Sequence, residues 1–258
     1  MFGALLFIPL FIQGVAGASA ANSGTVLTPL MLMAIAGSVA SGQFLSRWGR
    51  YRYIAMAGIV FMLVGMGLLL RLNVHSGATD TLPALLVLGL GLGFGMAIYT
   101  IVVQNAFPRA RLGEVTGALT FFRSIGGTLG VAVFGSFLTN RYTANLAHAL
   151  PAAVTARVPK SRLHAFDNPQ LLLQPGAESA LRHAFARFGP QGQQLYAMVI
   201  TAIKTALAGA LHDVFLVGLV VTALAFVAVL FLPEIPLRGR ETDTMPDERA
   251  APNLARGA

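Results

Sequence analysis

Apolar residues run in long blocks along this chain, and charged residues fall in the gaps between them. No Asp, Glu, Lys or Arg occurs between Met1 and Ser46. That is too long for one membrane-crossing helix, which needs about 20 residues for a ~30 Å hydrocarbon core. The small and polar stretch AGASAANSG, residues 16–24, breaks it. The pattern predicts a short first span at 1–15 and a second at 25–46. A basic turn, RWGRYR, follows at 47–52, then a third span at 53–70 and a polar loop, NVHSGATD, at 73–80. A fourth span covers 82–106, a second basic turn, PRARLG, covers 108–113, and a fifth span covers 114–138. A polar segment at 140–207 separates it from a sixth span at 211–232. The charged, Pro-rich residues 233–258 read as a disordered tail. The first span has no basic leading region, so it is not a signal peptide. It reads as a helix short of its beginning.

Within the polar segment, Ala177, Leu181, Ala184, Phe185 and Phe188 repeat at helical spacing, while Arg182, His183 and Arg187 fall off that stripe. This predicts a short amphipathic helix, lying on the outer membrane face or packed on the ends of the spans. Past Gly192 the helical pattern can run unbroken into the last span, projecting that helix outward. Glycines pair at four-residue spacing: Gly89 with Gly93, Gly91 with Gly95, Gly113 with Gly117, and Gly126 with Gly130. Lipid supplies no hydrophobic force between helices, so close backbone contact at such residues holds them together. A compact bundle is expected.

Composition supports the same class. The chain is 55% hydrophobic and 11% charged, against about 25% charged in soluble domains. The predicted fold is all-α, a polytopic membrane protein with six transmembrane helices. Without cysteine there is no disulfide framework and no thiolate metal site. The net charge of +8 resides mainly in the gaps, where it acts as topology signal and phospholipid contact rather than a nucleic-acid patch. Arg47, Arg50 and Arg52, then Arg109 and Arg111, then Arg238 and Arg240 fall on one side of a six-span chain. Short-loop arginine marks the cytoplasm, so both termini are expected there. HExxH, GxSxG and P-loop signatures are absent from the sequence, as is a His and carboxylate metal cluster. The sequence points to no enzyme and no cofactor.

One charge lies inside a span. Arg123 is about 13 Å beyond Glu114 at 1.5 Å per residue, too deep to snorkel easily. A charge near the bilayer centre costs roughly 2.5–3.5 kcal/mol on insertion scales, and such residues face the bundle interior. Arg123 is therefore either a cavity cation that meets an anionic group or a strut bonded to helix carbonyls. No carboxylate in the spans matches its depth: Glu114 and Asp213 fall at span ends. Gln13, Gln43, Gln104 and Asn105 are the other polar side chains in or near spans. Of these, Gln13 and Gln104 line a cavity or bond between helices, a contact worth about 0.6 kcal/mol. The adjacent His212 and Asp213 form a proton relay at the outer mouth or a solvated helix end.

The turn GQFLSRWGRYR, residues 42–52, resembles the loop motif of the major facilitator superfamily, GxLxDRxGRRR. Gly42, Arg47, Gly49, Arg50 and Arg52 match; Ser46 stands at the acidic position. FIPLFIQGVAGASAANSGTVLTPLML, residues 7–32, resembles the opening of the C-terminal half of the fourteen-span drug:proton antiporters, the EmrB/QacA subfamily. VVQNAFPRARLGEVTGALTFFRSIGGTLGVAVFGSFL, residues 102–138, is similar to the same subfamily, Arg123 included, and so is LPEIPLR at 232–238. The resemblance implies one half-bundle of the major facilitator fold, in a cell membrane, with the loop motif serving conformational gating. It implies a proton-coupled exporter of amphipathic drugs or other small molecules, with the N-terminal half missing. The polar span residues Gln13, Gln104, Asn105 and Arg123 are the substrate-cavity candidates, and the resemblance implies that coupling carboxylates lie mainly in the missing half. Two alternatives stand beside it: a free-standing six-span protein that self-associates, and a non-transporting structural or assembly protein.

Overall fold

The computed structural model describes residues 2–18, 20–151, 168–169, 177–186 and 189–232. Among them there is no strand. The helices are α1 (Phe2–Gly14), α2 (Ala20–Trp48), α3 (Tyr51–Leu69), α4 (Leu82–Asn105), α5 (Leu112–Ala149), α6 (Ala177–Ala186) and α7 (Pro190–Leu230). Short 3₁₀ turns at Ala78–Thr81 and Arg109–Arg111 lead into α4 and α5. α2, α3, α4, α5 and α7 are each long and apolar enough to cross a membrane, and α1 is a shorter apolar helix. The expected all-α polytopic membrane fold is observed. The expected tail at 233–258, with Arg238 and Arg240, lies outside the described residues, as do Arg187 and Phe188.

Three boundaries differ from expectation: α2 begins at Ala20 rather than at 25, and two others differ by far more. α5 continues to Ala149 rather than ending near 138, and α7 begins at Pro190 rather than near 211. At 1.5 Å per residue they are about 57 and 61 Å long, roughly twice the hydrocarbon core. Mutual packing explains the extra length. Leu138, Tyr142 and Leu146, spaced by four, are buried on α5, and Leu195, Val199, Ile203 and Leu207 are buried on α7 in the same core. Hydropathy finds the lipid-facing stretch; it does not find where a helix covered by its neighbour stops. The last helix runs unbroken past Gly192 into the span, as its pattern allowed. α6 packs on α7: Phe185 is buried, with its ring 6.5 Å from that of Tyr196.

The turns follow from their residues. Gly49 closes α2 with φ +66°, and its N–H donates to Leu45 O at 2.9 Å. This is a left-handed helix cap, which glycine alone adopts without penalty. Arg50 is extended and starts α3, so two residues reverse the chain. Gly49→Ala is expected to cost about 1–2 kcal/mol, read as a lowered Tm of the purified chain in detergent. In the next loop Asn73 Oδ1 accepts from His75 N at 2.9 Å and Asp80 Oδ2 accepts from Gly77 N at 2.8 Å.

α4 lies between α2 and α3, and its glycines set both distances. Gly89 and Gly93 face the α2 carbonyls of Leu30 and Ala34, while Gly91 faces α3, where an added Cβ would lie 2.8 Å from Gly58 O. A second cluster, near the basic turns, holds Leu45, Tyr51, Ile54, Phe94 and Ile98. Phe44 bridges beside it, 5.5 Å from the Trp48 ring and 6.4 Å from that of Phe94. α5 contrasts with α4. From 116 to 137 none of its residues is buried, and Phe121, Ile125, Leu129 and Val133 form an exposed stripe at spacing four. That bulky stripe is left uncovered by the rest of the described residues.

Candidate functional site

The other side of α5 carries small and polar residues. Thr116, Thr120, Arg123, Gly127, Gly130 and Phe134 follow one another at spacings of four and three, so they share one helix face. That face turns toward α4. Gln104 Nε2 donates to Thr116 Oγ1 at 3.0 Å. Two turns deeper, Arg123 Nη2 donates to Thr100 Oγ1 at 3.4 Å. Thr100 Oγ1 spends its own proton on Met96 O at 2.9 Å.

Arg123 lines a cavity of about 400 Å³. Met62, Leu92, Met96, Phe134 and Val221 make its wall apolar, and Gly126 and Gly130 keep it open. Tyr99 also lines it, and its hydroxyl is buried with no hydrogen-bond partner among the described residues. The cavity therefore presents one charged donor, the Arg123 guanidinium, within an otherwise apolar wall, while the Tyr99 hydroxyl is closed to solvent. Among the described residues Arg123 has no ion-pair partner; the one salt bridge there is Arg141 to Asp213 at 3.5 Å. No group of His and carboxylates among them could hold a metal.

The candidates from sequence do not converge on this cavity. Gln104 and Asn105 line a second one, about 430 Å³, near the basic turns with Gly42, Ser46, Arg109 and Leu112. Gln13 lies in α1, half-buried, on the wall of neither. In the loop motif, Ser46 Oγ donates to Gln43 O at 2.8 Å. Arg47 occupies the last turn of α2, where a cation complements the helix dipole. Arg50 is the residue before α3. Arg52 Nη2 donates to Leu230 O, the last residue of α7, and so joins the turn to the end of the final helix.

His212 is exposed, and Asp213 is engaged by Arg141. Arg141 also lies over the Phe137 ring at 5.3 Å to its centroid. Its side chain is 54% exposed and that of Asp213 35%, so solvent screens the pair. A double-mutant cycle of Arg141→Ala with Asp213→Asn, read by thermal unfolding, is expected to give a coupling below about 1 kcal/mol.

Tyr99, Thr100 and Thr116 are cavity and seam residues that the sequence reading passed over. Thr116 was findable from its register with Arg123. Tyr99 and Thr100 sit in a run of apolar residues with no periodic signal of their own.

Comparison with known proteins bears on what this arrangement belongs to. The sequence profile of the Major Facilitator Superfamily matches residues 1–131. The multidrug transporter protein MdtP of Bacillus subtilis is 33% identical over 263 residues, covering 97% of this chain and 46% of MdtP. Multidrug resistance protein 3 of the same organism is 28% identical over 228 residues, covering 88% of this chain and 41% of that protein. A tetracycline resistance determinant of Streptomyces rimosus is 27% identical over 274 residues, covering 100% of this chain and 73% of that protein. The chain thus spans less than half the length of the two Bacillus proteins. On the profile match and the likeness to MdtP along nearly all of its length, this chain belongs to the major facilitator superfamily.

Proposed function

We propose that this chain works as the C-terminal half of a fourteen-span, proton-coupled exporter of amphipathic drugs or other small molecules. The observation that carries the reading is α5: a spanning helix whose middle turns stay unburied while a charged side chain on them faces a half-walled cavity. A second body of helices would complete that wall and supply the carboxylate that Arg123 lacks here. Export then follows from rocking of the two halves about a site near mid-membrane. The relatives named as multidrug transporter and tetracycline determinant support the substrate class. In this reading the turns with Arg47, Arg50, Arg52, Arg109 and Arg111 are cytoplasmic. Both termini are cytoplasmic too, in a cell membrane, and the loop motif gates the rocking through the Arg52 tie to α7.

The test is co-expression with an eight-span N-terminal partner half, followed by efflux of three fluorescent amphiphiles: cationic, anionic and neutral. Efflux of at least one, lost when the proton gradient is collapsed, is the expected result, with none from this chain alone. Equal efflux by this chain alone would overturn the half-transporter reading. Cross-links between copies through cysteines placed on the α5 cavity face would then establish self-pairing. Efflux indifferent to the gradient would overturn proton coupling.

A further inference from the structure

We infer that the cavity between the ends of α2, α4 and the start of α5 is a binding site for one anionic phospholipid, with Arg109 holding its phosphate. The inference stands apart from the export reading. It needs only that these helix ends lie at a membrane surface.

Three observations carry it. The first is a charge without a counter-charge. Arg109 lines this cavity of about 430 Å³, and its side chain has no hydrogen bond or ion pair among the described residues. Glu114, in the first turn of α5, pairs with neither Arg109 nor Arg111 among those residues. The second is the rest of the wall. Gln104 Nε2 already donates to Thr116, and Ser46 Oγ to Gln43 O, so the guanidinium is the charged donor still open. Leu45, Ile101, Phe107 and Leu112 make the remainder apolar, and Phe107 is 45% exposed. A cation beside an apolar wall matches a ligand in which phosphate and hydrocarbon are covalently joined. A soluble phosphate ester would leave that wall unmatched. The third observation is level. The cavity is built from the last two turns of α2, the last turn of α4 and the first residue of α5, and the ends of spanning helices lie among lipid head groups. A guanidinium forks onto two phosphate oxygens, and basic pockets between spanning helices take anionic head groups. An arginine that serves topology alone needs no cavity beside it. Gly42 keeps this one open, since nothing lies within 4 Å of a Cβ added there.

The experiment is native mass spectrometry of the purified 258-residue chain released from detergent. Dioleoylphosphatidylglycerol and dioleoylphosphatidylcholine are added in equal amounts. One phosphatidylglycerol per chain is expected to saturate first, preferred about tenfold over phosphatidylcholine, the value of one hydrogen bond to a charged group. Arg109→Gln is expected to remove that preference. Arg111→Gln takes the same charge from the same turn but off the cavity wall, and is expected to keep most of it. Gly42→Leu keeps every charge and fills the cavity, and is expected to abolish the saturating adduct. Equal losses in the two arginine variants, or an adduct that survives Gly42→Leu, mean diffuse attraction to a basic surface and overturn the inference. Equal uptake of the two lipids overturns it as well. Glycerol 3-phosphate in large excess is expected to leave the lipid bound; displacement would make this a site for soluble phosphate esters and overturn the lipid assignment. Arg109 bonds to nothing among the described residues, so its variant is expected to fold with an unchanged Tm. If it does not fold, Gly42→Leu decides. Failure of the export reading shows differently, as absent efflux with the lipid adduct intact.

Discussion

Gly93→Leu is expected to leave little folded protein. A side chain there would run into Ala34 O, and its Cβ would lie 2.7 Å from Ser38 N. Both are backbone atoms of α2, which no rotamer change can move aside. α2 and α4 must separate, and the neighbouring contact at Gly89 separates with them. Overpacking a soluble core by a methylene or two costs about 1–3 kcal/mol. Here the loss is larger, because lipid gives no hydrophobic return for helices that part. The measurement is the monodisperse fraction after detergent extraction, with the Tm of what survives. A wild-type profile would show that the α2–α4 approach is not what holds the bundle. Gly126→Leu is the contrast. Nothing lies within 4 Å of its would-be Cβ, so the chain is expected to fold normally while the leucine fills the cavity and stops substrate binding.

Arg123→Leu is expected to raise the chain's stability while abolishing export. The substitution removes a span charge that has no carboxylate partner among the described residues and gives up one long hydrogen bond. Charge insertion at this depth costs roughly 2.5–3.5 kcal/mol. Partial solvation through the cavity reduces what is recovered, so a gain of about 1–2 kcal/mol is the expectation, seen as a higher Tm in detergent. Efflux by the co-expressed halves is expected to fall at least a hundredfold, with normal insertion confirmed by membrane fractionation. A strut gives the opposite sign: stability falls and export falls only in proportion. The two readings of Arg123 left open by the sequence are thus separated by the direction of one Tm shift.

The sequence carried most of the scaffold because lipid imposes simple rules. The charge-free blocks are where the spanning helices lie, and the glycines at 89, 91 and 93 are where α4 touches its neighbours. It was silent on α5 past residue 138, since Tyr142 and Leu146 are buried in the core they share with the last helix and carry no long apolar run of their own. The site was half legible. Arg123 announced itself by its cost. Tyr99 did not, because its significance is the missing partner of one oxygen, a property of three-dimensional surroundings. Gln13 and Gln104 were equivalent in sequence, yet the structure gives Gln104 a partner on α5 and leaves Gln13 away from both cavities.

The Gly49 turn has an optical consequence. Trp48, directly before it, is the chain's single tryptophan, largely exposed at the end of α2 and in ring contact with Phe44, which reaches Phe94 on α4. Emission excited at the red edge therefore comes from one point, where α2, α3 and α4 meet. Any motion that breaks the contact of Trp48 with Phe44 alters the emission, and motion elsewhere leaves it unchanged. The protein carries its own fluorophore at the joint assigned to gating, so rocking can be timed in stopped flow without a label.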